Sequence, residues 1–308
     1  VGDNTSIGTG YAAHPKWDPK TGELHAMCYD WANLRDHIRY VVVDAEGEWA
    51  DETEIPLPGM TMIHDMSLTE HYAVIFDLPV TLNFVALGMG ASFPFRWDNE
   101  YEPRVGLLPR GGEAKDIIWR SVSQNYAYHP MNAYEDSSGR VVLDVVRHSK
   151  LFESEQLDVD TPTLTLDRWL VDPKGGPVKE TRLDDRPQEF PRHDERLVGK
   201  PYRYGYTATY SANGDFDGLL KHDLRNGTSE IHSEGAARKF LEPIFVPRGP
   251  DTAEDDGWVM AYVYDASTDG GDVVIVHAQD FMATPAATIH LPQRVPFGFH
   301  GNWVPDET

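Results

Sequence analysis

Four histidines stand in short segments whose residue types could support metal chemistry: they are His14, His64, His129 and His300, out of 13 histidines in 308 residues. Neutral imidazole is a good ligand for first-row transition metals, iron among them. None of the four has another histidine three or four residues away, the spacing typical of a helical metal site. Each one alone therefore fits either a metal ligand or a hydrogen-bonded structural histidine.

Other clusters give weaker chemical signals. The segment around His25, Thr21-Gly22-Glu23-Leu24-His25, is typical of a turn and the start of a strand, which favours a structural role. The acidic pairs Asp184-Asp185 and Asp255-Asp256 lack the Asp-x-Asp-x-Asp-Gly pattern of a calcium loop and fit solvated turns. No serine lies in a Gly-x-Ser-x-Gly elbow, so the pattern of a serine hydrolase is also missing.

The elements that must position these histidines are predicted to be strands. Gly and Pro number 26 and 22 and interrupt the sequence so often that few stretches could hold three helical turns. Runs rich in β-branched and aromatic residues occur instead at His37–Val43, Tyr72–Leu78, Val141–Val146, Thr163–Val171, Tyr202–Tyr210, Trp258–Tyr264 and Val273–His277.

Tight turns separate several of these runs. Asp172–Gly176, Arg225–Thr228 and Asp269–Asp272 contain Gly or Asn, which adopt the positive φ angles that hairpin turns need. Many short strands joined by hairpins predict an all-β sandwich, barrel or propeller. We favour the propeller, although no strong internal repeat is visible.

Composition excludes several partners. The formal net charge of −23 disfavours nucleic acid and electrostatic attraction to anionic membranes. Cys28 has no second cysteine to pair with, which suits a reducing, cytoplasmic compartment. The weakly charged run Leu82–Phe95 is too short to span a bilayer, and we expect either a core segment or an apolar patch on a membrane surface.

Taken together, four segments resemble the signatures of the carotenoid cleavage oxygenase family, in the family's order: Ala12-Ala13-His14-Pro15-Lys16, Met62-Ile63-His64-Asp65, Tyr128-His129-Pro130-Met131-Asn132 and Pro296-Phe297-Gly298-Phe299-His300-Gly301. Two further segments fit the family, Gln188-Glu189-Phe190-Pro191 and Leu241-Glu242-Pro243-Ile244-Phe245-Val246-Pro247. The resemblance extends from about Gly8 to Val304. It covers nearly the whole chain and is far more specific than any one segment.

The resemblance implies a seven-bladed β-propeller capped by a dome of loops and short helices. It implies that His14, His64, His129 and His300 bind Fe(II) on the propeller axis, with Glu189 and Glu242 as carboxylates directed toward His129 and His300. Four neutral imidazoles leave two octahedral positions open for O₂ and substrate. Carboxylates that accept the outer N–H of a ligand histidine fix its tautomer.

Spacing and length bear on the number of blades. The six implied residues lie 50 to 65 residues apart along the chain, which suits one residue per propeller blade. At that interval the chain holds five to six blades, so we expect a single domain over residues 1–308 that lacks N-terminal blades. A family carboxylate that partners His64 would lie upstream of the first motif and has no counterpart here.

The resemblance predicts an Fe(II)-dependent dioxygenase that cleaves a conjugated double bond of a carotenoid or apocarotenoid into two carbonyl products. Alternatives are cleavage of a stilbene, a metal-assisted isomerase or hydrolase, and a catalytically silent binding scaffold. In the family the substrate entrance is ringed by apolar residues that enter membranes. We therefore expect a cytoplasmic protein with peripheral membrane contact through Leu82–Phe95, where Phe84 and Leu87 are the residues to test.

Overall fold

Strands dominate the computed structural model, which describes residues 10–152, 164–211, 214–296 and 298–304. Gly8, Thr163 and Phe297 of the predicted segments lie outside these residues. Within the described ranges, strands form five antiparallel sheets of four or five strands and a two-stranded sheet. The predicted all-β class is confirmed, and each larger sheet has the size of a propeller blade.

Residues 10–121 form two of the larger sheets. The first sheet contains β1 (Gly10–Tyr11), β2 (Lys16–Trp17), β3 (Leu24–Tyr29), β4 (His37–Val43) and β5 (Trp49–Pro56). The second contains β6 (Met66–Leu68), β7 (Tyr72–Asp77), β10 (Arg104–Pro109) and β11 (Ile118–Ser121). Between β7 and β10 lie a two-stranded sheet, β8 (Val80–Leu82) with β9 (Phe95–Trp97), and the short helix α1 (Phe84–Gly88).

Three more sheets follow in chain order. The third sheet contains β12 (Pro130–Glu135), β13 (Val141–His148), β14 (Leu164–Val171) and β15 (Lys179–Asp184). The fourth contains β16 (Gln188–His193), β17 (Tyr204–Tyr210), β18 (Phe216–Asp223) and β19 (Thr228–His232). The fifth contains β20 (Arg238–Phe240), β21 (Ile244–Pro247), β22 (Gly257–Asp265), β23 (Gly270–His277) and β24 (Ala287–His290).

Short 3₁₀ turns complete the regular structure at Trp31–Asn33, Ala114–Asp116, Glu195–Leu197 and Ala278–Asp280. The seven strand predictions are confirmed in β4, β7, β13, β14, β17, β22 and β23. The Gly-containing segment at 172–176 connects β14 to β15, and that at 225–228 leads from β18 into β19. Hairpin chemistry in the sequence therefore locates these connections correctly.

The chain divides into two compact units, each with its own apolar core. The first comprises Val1–Thr163, Asp167–Arg182 and Val198–Pro201, and the second comprises Leu164–Leu166, Leu183–Leu197 and Tyr202–Thr308. Phe76, Leu107 and Trp169 are among the core residues of the first unit, whereas Tyr206 and Val259 are in the core of the second. The prediction of a single domain over residues 1–308 stays a prediction.

Alternation along the strands explains the burial. In β22, Val259, Ala261 and Val263 are almost fully buried, while Tyr262 between them is 43% exposed. Successive side chains of a strand point to opposite faces of its sheet, so one face packs in the core. Residues that enter or interrupt a strand escape this rule, and His14, His64, His129 and Glu242 lie at such positions.

Candidate metal centre

Three of the predicted histidines belong to the first unit, and each lies at the first strand of a different sheet. His14 occupies the break between β1 and β2, two short strands that both pair with β3. His64 lies two residues before β6, and His129 directly precedes β12. Their backbones are anchored by the sheets: for example, the Val146 amide donates to the carbonyl of His129 at 3.1 Å. Three separate sheets therefore deliver three imidazoles.

The three rings converge. Every pair of ring centroids among His14, His64 and His129 is 4.9 Å apart, with interplanar angles of 31°, 76° and 84°. Their candidate ligand nitrogens lie within 4.8 Å of one another. Nitrogens bound to one ion at about 2.1 Å cannot be much more than about 4 Å apart. The three histidines consequently fit a transition metal such as Fe(II) after only small shifts of the side chains.

An aromatic wall borders this three-histidine cluster. The ring of Tyr128 lies edge-on to His64 at 4.9 Å and stacks on His129 at 5.9 Å. Behind it, Phe152 lies 6.3 Å from Tyr128, and Phe93 lies 4.8 Å from Phe152. These side chains exclude water from one side of the cluster and give that side an apolar surface.

A buried ion pair lies beside the same cluster. Lys16 Nζ is 2.7 Å from Asp65 Oδ1, and the Asp65 side chain is only 3% exposed. Burial raises the pKa of the Asp65 carboxyl, while the charge of Lys16 and the nearby His129 oppose that rise. The carboxylate also accepts the backbone N–H of Met66 at 2.6 Å.

His300 and Glu242 lie together in the second unit. Glu242 occupies the break between β20 and β21, and its Oε1 is 3.4 Å from His300 Nδ1. The amide of Gly301 donates to Oε2 at 3.0 Å, and Arg192 Nη1 donates to Oε1 at 3.1 Å. Burial would raise the pKa of Glu242, but the hydrogen bond from His300 and the charge of Arg192 lower it on balance. Glu242 is thus an ionised carboxylate that can accept a hydrogen bond from Nδ1 of His300.

Glu189 lies in β16, the first strand of the fourth sheet, and is 4% exposed. The pairing of β16 with β17 shifts register after Glu189, and Phe190 adopts a left-handed φ of 55°. Such backbone geometry is rare for a bulky residue and marks a constrained position. The predicted contact of Glu189 with His129 stays a prediction.

A cavity of about 340 Å³ lies beside His300 in the second unit. Ile244, Met260 and Val273 line one part of it, and Glu242 and His300 line another. Its lining thus combines apolar side chains with the Glu242–His300 pair.

His25 belongs to a different group. Asp18, Glu23 and His25 lie close enough to share a cation, but Arg110 already bonds Asp18 Oδ2 at 2.6 Å and Glu23 Oε2 at 2.9 Å. The ring of His25 also contacts the Tyr40 hydroxyl at 2.6 Å. Burial, and the charge of Arg110, lower the pKa of His25 to about 4. These contacts are those of a structural histidine.

Sequence reasoning missed four neighbours of the predicted residues: Lys16, Asp65, Tyr128 and Arg192. Lys16, Asp65 and Tyr128 are part of the quoted motifs, and their proximity to a histidine was the available signal. Arg192 lies 50 residues from Glu242, and no local pattern reveals that contact.

Part of the run Leu82–Phe95 is a core segment, and part of it is an exposed apolar patch. Leu82 and Phe95 are buried in the core of the first unit, and Leu87 and Phe93 pack against it. Phe84, Val85 and Met89 of the helix α1 region are 58%, 72% and 76% exposed. No helix in the part of the chain that the structure describes is long and apolar enough to cross a membrane.

The sheets that position the three histidines are shared with solved structures of oxygenases. Residues 2–305 match the family described as retinal pigment epithelial membrane protein, RPE65. The chain belongs to this family, which includes the carotenoid cleavage oxygenases, and the resemblance in the motifs is confirmed.

Individual relatives of the chain also belong to this group of oxygenases. The chain is 36% identical to a carotenoid cleavage oxygenase of Mycobacterium tuberculosis, covering 96% of this chain and 68% of the relative. It is 32% identical to apocarotenoid-15,15'-oxygenase of Synechocystis, covering 98% and 65%. Among solved structures, the lignostilbene dioxygenase of Pseudomonas brassicacearum superposes with a TM-score of 0.88 at 28% identity, covering 96% and 66%. The chain thus spans about two thirds of the length of these relatives.

Proposed function

We propose that this chain carries the iron centre of a dioxygenase that cleaves a conjugated carbon–carbon double bond into two carbonyl products. The observation that carries the proposal is the convergence of His14, His64 and His129 at mutual ring distances of 4.9 Å. The same three residues stand in the motifs that carry the family resemblance. Bound Fe(II) would supply the activation of O₂ for this reaction.

The chain's own residues would hold the ion and keep the site dry. His14, His64 and His129 would each provide a neutral imidazole nitrogen, and His300 would provide the fourth. Tyr128 would exclude water on one side and present an apolar ring to a flat, conjugated substrate. No protein side chain is required to act as an acid or base in this scheme.

The carboxylates would orient the histidines. When His300 donates its Nδ1 proton to Glu242, its Nε2 keeps the lone pair needed for coordination. The 3.4 Å contact between these two residues supports that role for Glu242. We assign the corresponding role at His129 to Glu189.

We propose a carotenoid or apocarotenoid as substrate, with a stilbene as the second candidate. The names of the relatives include carotenoid, apocarotenoid and lignostilbene substrates, which share an apolar conjugated alkene. The aromatic wall behind Tyr128 supports an apolar, planar substrate.

We further propose a cytoplasmic protein that contacts membranes through the exposed part of α1 and its C-terminal end. Phe84, Val85 and Met89 together present large apolar side chains to solvent. Burial of such surface in a bilayer is favourable by about 25 cal/mol per Å². The buried Leu82 and Phe95 would anchor the patch to the core.

Isotope labelling with ¹⁸O₂ is the decisive experiment. The protein is loaded anaerobically with Fe(II), mixed with an apocarotenoid or a stilbene, and exposed to ¹⁸O₂. A dioxygenase places label in the carbonyl products, an isomerase leaves the label in the gas, and a hydrolase takes oxygen from water. A scaffold without catalysis yields no product even when fully loaded with iron, and that result would refute the proposal.

A further inference from the structure

The hairpin β2–β3 of the first sheet is joined to the second sheet by ion pairs that differ in their exposure to solvent. In each pair the first residue belongs to the hairpin and the second belongs to the second sheet or one of its turns. The pairs are Lys16 with Asp65, Asp18 with Arg110 and Lys20 with Glu70. The first two pairs are largely shielded from solvent, with Asp65 and Asp18 3% and 7% exposed, and the third is exposed, with side chains 65% and 58% accessible. The series runs from the histidine cluster out to solvent.

The innermost pair adjoins two of the histidines. Lys16 is two residues after His14, and Asp65 directly follows His64. Their 2.7 Å contact therefore links the two histidine-bearing segments across the boundary between sheets. The side chain of Lys16 is 22% exposed and that of Asp65 is 3% exposed, so solvent screens this contact poorly.

Two histidines on different sheets do not share a backbone ladder, so hydrogen bonds within a sheet cannot fix their separation. A buried, charge-assisted contact one or two residues away from both can do so. We propose that Lys16 and Asp65 are a positioning pair that holds His14 and His64 at the spacing required for metal binding. This inference rests on the proposed function, since it assigns the pair a role at the same metal site.

The Lys16–Asp65 pair and the exposed Lys20–Glu70 pair are expected to differ in their energetic contribution. Removing one partner of a buried ion pair leaves an uncompensated charge in the interior, which is strongly destabilising to the local arrangement. An exposed pair such as Lys20–Glu70 contributes little. The two lysines lie on the same hairpin and both contact a carboxylate of the second sheet or its turn. Lys20→Met is consequently a matched control for Lys16→Met.

The experiment has a metal-free part and a metal-binding part. Hydrogen exchange of the apo proteins is followed by mass spectrometry in peptides that cover residues 12–18 and 62–68. Co(II) affinity is then measured by competition with a chelator, and the visible spectrum of bound Co(II) reports its coordination geometry. Wild type, Lys16→Met, Lys16→Arg, Asp65→Asn and Lys20→Met are compared, with melting temperatures of the apo proteins as the check on folding.

We expect Lys16→Met and Asp65→Asn to exchange faster in both peptides, to bind Co(II) about 10- to 100-fold more weakly and to alter its spectrum. Lys16→Arg, which keeps the charge, should retain most of the affinity, and Lys20→Met should match wild type. Folded Lys16→Met and Asp65→Asn that exchange and bind as wild type does would overturn the proposal.

Failures of the two proposals can be distinguished. Wild-type protein that binds no Co(II) or Fe(II) contradicts the proposed function, while the exchange data still decide whether the pair holds the two segments together. A uniform loss of protection across the whole chain, with normal metal affinity, would show that the pair contributes only to general stability. If Lys16→Met does not fold, Asp65→Asn and Lys16→Arg carry the same comparison.

Discussion

Replacement of Glu242 by Gln removes one negative charge and keeps the side-chain shape. The carboxylate accepts hydrogen bonds from His300, Gly301 and Arg192, at 3.4, 3.0 and 3.1 Å. Glu242 is 7% exposed, so solvent cannot take over these interactions. The amide oxygen can accept from one or two of these donors, but the charge that strengthens the bonds is lost.

The expected loss of iron affinity or turnover follows from the strength of the hydrogen bond between Glu242 and His300. A bond to a charged acceptor contributes about 1.5–3 kcal/mol and a neutral one about 0.5–1.5 kcal/mol, so the bond to His300 loses about 1–2 kcal/mol. With 1.4 kcal/mol for each factor of ten, this predicts Fe(II) affinity or turnover about 5- to 30-fold lower. A metal ligand whose carboxylate partner is mutated typically loses about 10- to 100-fold, which overlaps this range.

Glu195→Gln provides the control, because Glu195 also contacts Arg192 but its side chain is 45% exposed. Iron retention after chelator treatment and initial rates with an apocarotenoid are measured for both variants. Comparable melting temperatures establish that both remain folded. Equal iron retention and equal rates in Glu242→Gln, Glu195→Gln and wild type would refute the assignment of Glu242 to the metal site.

Three further predictions use different properties of the chain. Alanine at any one predicted ligand should deplete bound iron and abolish turnover, whereas His25→Ala should leave iron content unchanged; metal analysis of the purified variants tests this for His14, His64, His129 and His300. Phe84→Ser combined with Val85→Ser should reduce liposome binding in a flotation assay without lowering the melting temperature, because both side chains are exposed. Unchanged flotation would remove the patch from consideration. Burial lowers the pKa of His222 from 6.5 to about 4. Between these two pH values the imidazole is protonated in the unfolded chain but not in the folded one, so the free energy of unfolding falls as the pH drops through that window, by up to about 3 kcal/mol. Urea unfolding at pH 7 and 4.5 should show a smaller difference in His222→Gln than in wild type.

The long strands could be predicted from sequence because their local pattern agrees with their environment. The sequence predicts a strand over His37–Val43, and β4 has the same bounds. Such strands alternate or continue in β-branched and aromatic residues, and turn residues end them. The two-residue strands β1 and β2 could not be found in this way, because a pattern of period two needs several residues to become visible.

The sequence also does not reveal which residues of Leu82–Phe95 are buried and which are exposed. Phe95 and Phe84 are the same residue type, yet Phe95 is 2% exposed and Phe84 is 58% exposed. The difference arises from the break at Asn83, whose side chain caps α1 by accepting from the Ala86 amide at 2.9 Å. The cap turns the chain out of the strand β8, and the first residues of the helix then face solvent.

The sequence positions that carry the proposed chemistry are the ones where strand prediction is weakest, and both facts have one cause. His14 and Glu242 each interrupt the first strand of their sheet, between β1 and β2 and between β20 and β21. A polar side chain in such a break can point away from the pleat and toward a ligand, which a residue in a regular ladder cannot do without losing its packing. Regular outer strands supply the stability that allows the first strand to remain irregular. A motif based on residue identity therefore finds this site, whereas periodicity finds the scaffold that supports it.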